Sequence, residues 1–397
     1  MIGKKGFFVA LACMMGMTAS AQLKGDGYYR IQNVQTGRYM TLTDRHSRGA
    51  NMHTTTVDAG ALETRKQWSD LESDPGSIFY VKSMGNSQYN IITQGANLYD
   101  MTQYYVKLTT KNGGQSYKAW QEKSGTQVYM SDEDNLTQGA DNGYVKTEGS
   151  ATRDWKVIAV DNSNNYLGIK PTVQSKGKYY AMFYAGYPVK LVSAGMKAYY
   201  VTRVDEAKGI AVYKEITGII PASTPVLMEC SSADAKNNRV EPVVDATKTP
   251  ADNKLTGVYF CTGNRLANHY NSIKFEPTTM RVLGVNAKGE LVVNNATDQL
   301  TNVRAIKSSS QYGDEYWNIL AIPHNTAYVK VSASAPAELK LLSNLDPTGI
   351  ENVVAADGQK ASDVYTLAGV KVRSNATTLE GLPKGVYIYK NKKVVVE

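Results

Sequence analysis

Residues 27–42, GYYRIQNVQTGRYMTL, constrain the chain most, because their strand–turn–strand pattern returns three times before residue 170. Tyr29, Ile31 and Asn33 alternate with Arg30, Gln32 and Val34, Thr36-Gly37 supplies a turn, and Tyr39, Met40 and Leu42 resume an extended run. Alternation of aromatic and β-branched residues around a glycine turn predicts a hairpin. Similar units stand at 78–92, 117–130 and 155–169, with matching tyrosines Tyr39, Tyr89, Tyr129 and Tyr166. Their separations of 50, 40 and 37 residues are too uneven for a solenoid and suit a closed β architecture with variable loops.

Composition points the same way. Tyr 27 against Phe 6 suits half-exposed strands, where the ring packs and the hydroxyl stays wet, and no long stretch carries helical spacing. An all-β chain of 397 residues is expected, long enough for two or three cores. Lys4-Lys5, an apolar run over 7–17 and the small-residue site Thr18-Ala19-Ser20-Ala21 read as a secretory signal peptide, residues 1–21, cleaved after Ala21. A lipoprotein reading at Cys13 would leave a very short apolar region. No later stretch is apolar over the ~18 residues a membrane helix needs, and the strands lack the regularity of a lipid-facing band.

The formal charge is +8, and +6 once the two leader lysines are taken away. That excess is spread along the chain, with no basic cluster interleaved with aromatics, so no nucleic-acid partner is expected. Beyond the leader only Cys230 and Cys261 remain: either one disulfide closing a loop of about 30 residues, or two buried thiols.

The unit YRIQNVQTGRYM resembles the repeat of the ricin-type β-trefoil lectins, whose pattern is an aromatic strand, an x-Ile-x-Asn step, a glycine turn and Tyr-Leu. Trp68 and Trp155 stand near the family's closing Gln-x-Trp position without matching it. The resemblance implies a β-trefoil-like domain over 22–193 and glycan binding. From 194 to 345 the texture changes, and Ile220-Pro221-Ala222-Ser223-Thr224-Pro225 is echoed by Ile322-Pro323-His324-Asn325-Thr326. Proline before a strand fixes its entrance. This pattern resembles an accessory module of Bacteroidetes surface proteins, here expected to be β-sandwich-like. The tail, VYTLAGVKV and then GLPKGVYIYKNKKVVVE, predicts short strands with turns at Gly369, Gly385 and Asn391-Lys392. It resembles the C-terminal sorting domain of type IX (Por) secretion, which implies that 346–397 engages secretion machinery and that the protein ends at the outer-membrane cell surface.

Chemistry is sparse. His46, His53, His269 and His324 form no metal-binding spacing, so neither metal nor cofactor is expected. Cys261 and His269 lack a nucleophile's flanking signature, and Ser131-Asp132-Glu133-Asp134-Asn135 lacks an EF-hand's glycine and spacing, which leaves a charged turn. A sugar site needs an aromatic face beside a carboxylate or amide. By position after the hairpins, the candidates are Tyr39 with Asp44, Tyr99 with Asp100, and Tyr129 with Asp132; each could equally be a packed tyrosine and a turn-capping aspartate. The expected function is exported, surface-associated, non-catalytic carbohydrate binding. The alternatives are an adhesive protein with a protein partner, or a glycoside hydrolase whose carboxylate pair is invisible in sequence.

Overall fold

The computed structural model describes residues 23–42, 62–93, 106–123, 125–134, 141–147, 153–244, 248–258, 272–296, 304–307, 318–343, 362–376, 378–389 and 392–396. The protein is all-β and divides into two compact units, Met1–Leu345 and Asp346–Glu397.

The first ten strands are β1 (Gly27–Asn33), β2 (Tyr39–Leu42), β3 (Leu62–Arg65), β4 (Phe79–Gly85), β5 (Gln88–Thr93), β6 (Val106–Lys111), β7 (Ser116–Lys123), β8 (Thr126–Asp134), β9 (Asn142–Thr147) and β10 (Asp154–Ala159). Six of them close a ring in the order β1-β4-β5-β6-β7-β10 and back to β1, every pair antiparallel. The other four form two hairpins, β2–β3 and β8–β9, that pair with each other through Glu63↔Tyr144. Period-2 alternation explains the filling. Tyr29 and Ile31, Phe79 and Val81, Ile91, Leu108, Tyr117 and Ala119, and Trp155 and Val157 point inward from the ring strands, and Met40, Leu62, Met130 and Val145 come from the hairpins.

Two of the four expected hairpins are present as adjacent pairs, β4–β5 and β7–β8, while β1 and β2 meet only at Gln32↔Tyr39. The unit at 155–169 is a correction. Both edges of β10 are taken, by β1 and β7, so the chain leaves the barrel and its next strand joins another sheet.

Those later strands are β11 (Leu167–Gly168), β12 (Val173–Ser175), β13 (Lys178–Phe183), β14 (Val189–Leu191), β15 (Lys197–Asp205), β16 (Ile210–Ile216), β17 (Ile219–Ile220), β18 (Val226–Cys230) and β19 (Arg239–Pro242). After them come β20 (Leu255–Val258), β21 (Ser272–Lys274), β22 (Met280–Val285), β23 (Leu291–Asn294), β24 (Arg304–Lys307), β25 (Asn318–Pro323), β26 (Thr326–Lys330) and β27 (Glu338–Ser343). A ten-stranded sheet runs β12-β13-β18-β15-β16-β27-β23-β22-β26-β20, antiparallel except for β16 with β27. Smaller sheets run β11-β19-β14-β17 and β21-β25-β24. Strand β18 starts directly after the first Ile-Pro corner, and β26 starts at Thr326, the last residue of the second, whose Pro323 ends β25.

A buried arginine ties the barrel strand β1 to the turns between β3 and β4 and to the segment just before β11. Arg30, fully buried on β1, donates from Nε to Ser77 Oγ (2.9 Å), from Nη1 to Asn165 Oδ1 (2.8 Å) and the Tyr166 carbonyl (2.9 Å), and from Nη2 to the Leu71 carbonyl (2.9 Å). Its guanidinium carbon lies 4.9 Å from the centre of Trp68, which meets Tyr166 edge-on at 5.3 Å, and Arg239 covers Tyr166 at 4.8 Å. Burial lowers the Arg30 pKa to about 10, with Tyr187 and Asp74 acting in the opposite sense. Ile78, Leu167, Phe183, Tyr187 and Val189 close an apolar cluster across the same junction.

The second unit is a four-stranded antiparallel sheet, β29-β28-β30-β31, of β28 (Ser362–Thr366), β29 (Lys371–Ala376), β30 (Gly385–Tyr389) and β31 (Lys392–Val396), over a small core of Val364, Ala376 and Tyr387. Gly369, at φ +80°, makes the turn between β28 and β29, whereas Gly385 begins a strand instead of turning. Among the described residues no helix is long and apolar enough to cross a membrane.

Candidate functional site

A cleft of about 470 Å³ opens in the first unit where the barrel strands meet four further segments. The barrel contributes Thr41 from β2 and Arg65 from β3. The turns between β3 and β4 contribute Asp70, Ser73, Asp74 and Pro75, the exit from the barrel contributes residues 168–170 and Thr172, and β13 contributes Ala181, Met182 and Phe183. The second Ile-Pro corner, 323–326, completes the wall.

Each segment is held by its own local chemistry. The 67–77 stretch makes two 3-10 turns, Trp68–Asp70 and Pro75–Ser77. Asp74 caps the second by accepting the Gly76 N–H at 2.8 Å, with Pro75 pre-set at the first helical position, and the Thr41 hydroxyl also donates to its carboxylate. The Gly168 N–H donates to the Glu72 carbonyl at 2.7 Å and the Ile169 N–H to the Asn238 carbonyl at 2.8 Å. A Cβ at Gly168 would sit 2.7 Å from the Ala235 carbonyl carbon, so only glycine fits this approach. At the corner, Asn325 takes φ +59°, which asparagine tolerates better than most side chains. Its side chain donates to the Tyr184 carbonyl (2.9 Å), and Thr326 Oγ1 donates to the Pro323 carbonyl (2.6 Å).

The resulting wall brings together hydroxyls, an amide, an imidazole and charged tips beside Ala181, Met182 and Phe183 of β13, where neighbouring side chains point to opposite faces. Arg65 Nη2 is paired with Glu63 Oε2 at 2.5 Å. Lys170 and Asp70 are exposed. Several of these groups already serve the fold: Thr41 donates to Asp74, Thr172 to the Tyr180 carbonyl, Thr326 to the Pro323 carbonyl and Asn325 to the Tyr184 carbonyl. Among the described residues no three His, Cys, Asp or Glu side chains are grouped to hold a metal ion.

The residues singled out from the sequence fall in different places. Tyr39 is half-buried on β2 and lies directly opposite Arg65, two residues from Thr41, so it shares the strand face of two cleft residues. Burial raises its pKa, with the Arg30 charge acting downward. Asp44, Tyr99 and Asp100 lie outside the described residues, as does Cys261. Cys230 is a free, buried thiol on β18, its pKa pushed up to about 12 by burial, with the Glu229 charge adding to the effect.

Tyr129 and Asp132 do not converge. The expected charged turn is the end of strand β8, where residues three apart point to opposite faces. Tyr129 stands across from Trp120, whereas Asp132 turns into the protein and is 3 % exposed. There its Oδ2 takes the Arg38 Nε at 2.9 Å and the Thr36 hydroxyl, and its Oδ1 takes Thr64 Oγ1 at 2.7 Å. Asp132 is thus a cross-link between the β1–β2 turn, β3 and β8.

Sequence reasoning missed Thr41, Ser73, Lys170 and Met182, which carry no motif. It singled out the Ile-Pro corner for its turn geometry and not for its histidine. No protein-family model matches the chain, and no curated protein matches it.

Proposed function

We propose that this is an exported, surface-associated, non-catalytic binding protein that takes a saccharide in the cleft between the barrel and the β13/β25–β26 wall. The observation that carries the reading is the gathering in one cleft of Ser73, Asp70, Lys170 and His324 with Thr41, Thr172, Thr326 and Asn325, whose donors are held within the protein, beside residues of β13. Saccharides are recognised by polar groups placed together in such a cleft. Hydrolysis is disfavoured because the Asp74 carboxylate is occupied by Gly76 and Thr41, which leaves, among the described cleft residues, no pair of open acids of the kind glycoside cleavage uses.

In this reading the six-stranded ring with its paired hairpins is a β-trefoil-like unit, a pairing scheme that supports the resemblance carried by YRIQNVQTGRYM. The later sheets of the first unit are a sandwich-like accessory module. The four-stranded C-terminal unit is a sorting domain that engages secretion machinery, and the leader at 1–21 starts export. The strand and turn pattern of 362–396 supports the sorting assignment.

A glycan array with the intact chain tests the binding. Wild-type protein is expected to retain a defined set of saccharides, and Ser73→Trp, which fills the cleft from a half-buried position, is expected to lose them while keeping its circular dichroism. A blank wild-type array, with capture of a protein partner instead, would replace this reading by the adhesive one.

A further inference from the structure

The cleft borders an open strand face. Thr41 on β2, Glu63 on β3, Tyr144 on β9 and Glu133 on β8 stand opposite one another, neighbour to neighbour, across the two paired hairpins, so their side chains form a single row on one face. Thr41 at one end of the row lines the cleft, as does Arg65, two residues along β3 from Glu63. Two strand spacings put the Tyr144 position about 10 Å from Thr41.

Backbone packing fixes that position. A Cβ at Gly143 would sit 2.5 Å from Thr64 Oγ1, 2.6 Å from the Glu133 carbonyl oxygen and 2.7 Å from Asp132 Oδ1. Glycine lets β9 press onto the Asp132 cross-link, and the next residue, Tyr144, points to the outer side. There Tyr144 is 41 % exposed, the one exposed aromatic side chain among the described residues, and its ring and hydroxyl are engaged by none of them. Beside it Glu133 takes the Ser131 hydroxyl on Oε1 at 2.7 Å, while its Oε2 has no partner among the described residues. An open ring and a carboxylate oxygen able to accept from a hydroxyl thus lie on adjacent strands, the combination sugar recognition needs and Tyr129 with Asp132 does not supply.

Resting on the saccharide reading, we infer that Tyr144 and Glu133 form a second sugar subsite, and that the ligand is an oligosaccharide whose chain runs from the cleft across β3 to stack on Tyr144. Along that path Arg65 and the 4 % exposed Glu63 satisfy each other's charge, so a neutral chain crosses β3 without covering an unpaired one.

The test is titration calorimetry of the intact chain with the saccharide class retained on the array, supplied as its monosaccharide and as oligomers of increasing length. Wild-type affinity is expected to rise once an oligomer reaches from Thr41 to Tyr144. Tyr144→Ala is expected to remove that rise, weakening the long oligomers by about five- to tenfold, the scale of one aromatic contact, while the monosaccharide stays within about twofold. Tyr144→Phe keeps the ring and should keep the rise, and Glu133→Gln should weaken the long oligomers alone. Wild-type affinity independent of length, Y144A or E133Q within about twofold of wild type on the long oligomers, or equal losses on short and long ligands would overturn the inference. Because Tyr144 is exposed, Y144A should keep the wild-type circular dichroism, which separates lost stacking from unfolding. Failure of the wild type to bind any glycan would instead sink the parent reading. Binding abolished by Ser73→Trp but untouched by Y144A at every length would leave that reading standing and remove only this one.

Discussion

Replacing Asp132 by alanine separates a structural carboxylate from a ligand-gripping one. The Arg38 and Asp132 side chains are 2 % and 0 % exposed and meet at 2.9 Å. Removing one member of such a pair strands the other charge in the interior, at a cost of about 3–5 kcal/mol. Arg38 keeps a second partner, Asp134 at 2.8 Å, whose side chain is 70 % exposed and which therefore holds part of the charge in solvated company. That places the expected loss near the lower end, about 3 kcal/mol. Urea unfolding monitored by tryptophan fluorescence is the assay. Trp155 is buried in the barrel with its Nε1 donating to the Met130 carbonyl at 3.3 Å, on the strand that carries Asp132, so it reports locally. With a slope of about 3 kcal/mol/M, the midpoint of D132A should fall by about 1 M with the slope unchanged. Asp132→Asn should lie between wild type and alanine, because it keeps an acceptor and gives up the charge. A D132A protein within about 0.5 kcal/mol of wild type that had lost saccharide binding would refute this reasoning and restore Asp132 as a ligand residue.

Arg30→Met should destabilise the first unit by about 3 kcal/mol or more, since it takes the buried Arg30 donor from Asn165 Oδ1 and the Tyr166 carbonyl; a melting temperature unchanged by the substitution would contradict the cross-link. Cys230, 1 % exposed with its pKa pushed up to about 12, should resist a thiol reagent at pH 8 in the folded protein and react once it is denatured; rapid labelling of the native chain at this residue would contradict its burial. Burial pushes the Asp154 carboxyl up, but Lys111 and Lys118, each at 2.5 Å, more than reverse that and leave its pKa lowered. Its stabilisation is then complete above the unfolded carboxylate value of about 3.9 and is lost as pH falls through the lower folded value, so Lys118→Ala should unfold at a higher pH than wild type in an acid titration, and an unchanged midpoint would count against the pairing.

The strands were legible where alternation is local. Tyr29 and Ile31, Phe79 and Val81, and Trp155 and Val157 all keep the period that marks an inward face, and the barrel is built on them. Ring closure was not legible. That β10 spends one edge on β1, more than 120 residues away, and the other on β7, 36 to 38 residues back, is a matter of long-range pairing, and it turned an expected hairpin at 155–169 into an exit from the barrel. The pairing of Tyr129 with Asp132 failed on parity, because a short acidic run reads as a turn unless the partner strand β9 is known. The cleft was least visible of all. Its residues run from Thr41 to Thr326 on segments that carry no shared motif, and the duplicated Ile-Pro corner was the one trace of it in the sequence.

The most direct test of saccharide binding in the cleft is a crystal structure of the intact protein with a sugar chosen from the array. Sugar density is predicted between Thr41 on β2 and His324 at the β25–β26 corner, against the β13 wall. Density on the outer barrel face at Tyr129 and Trp120, with the cleft empty, would contradict it.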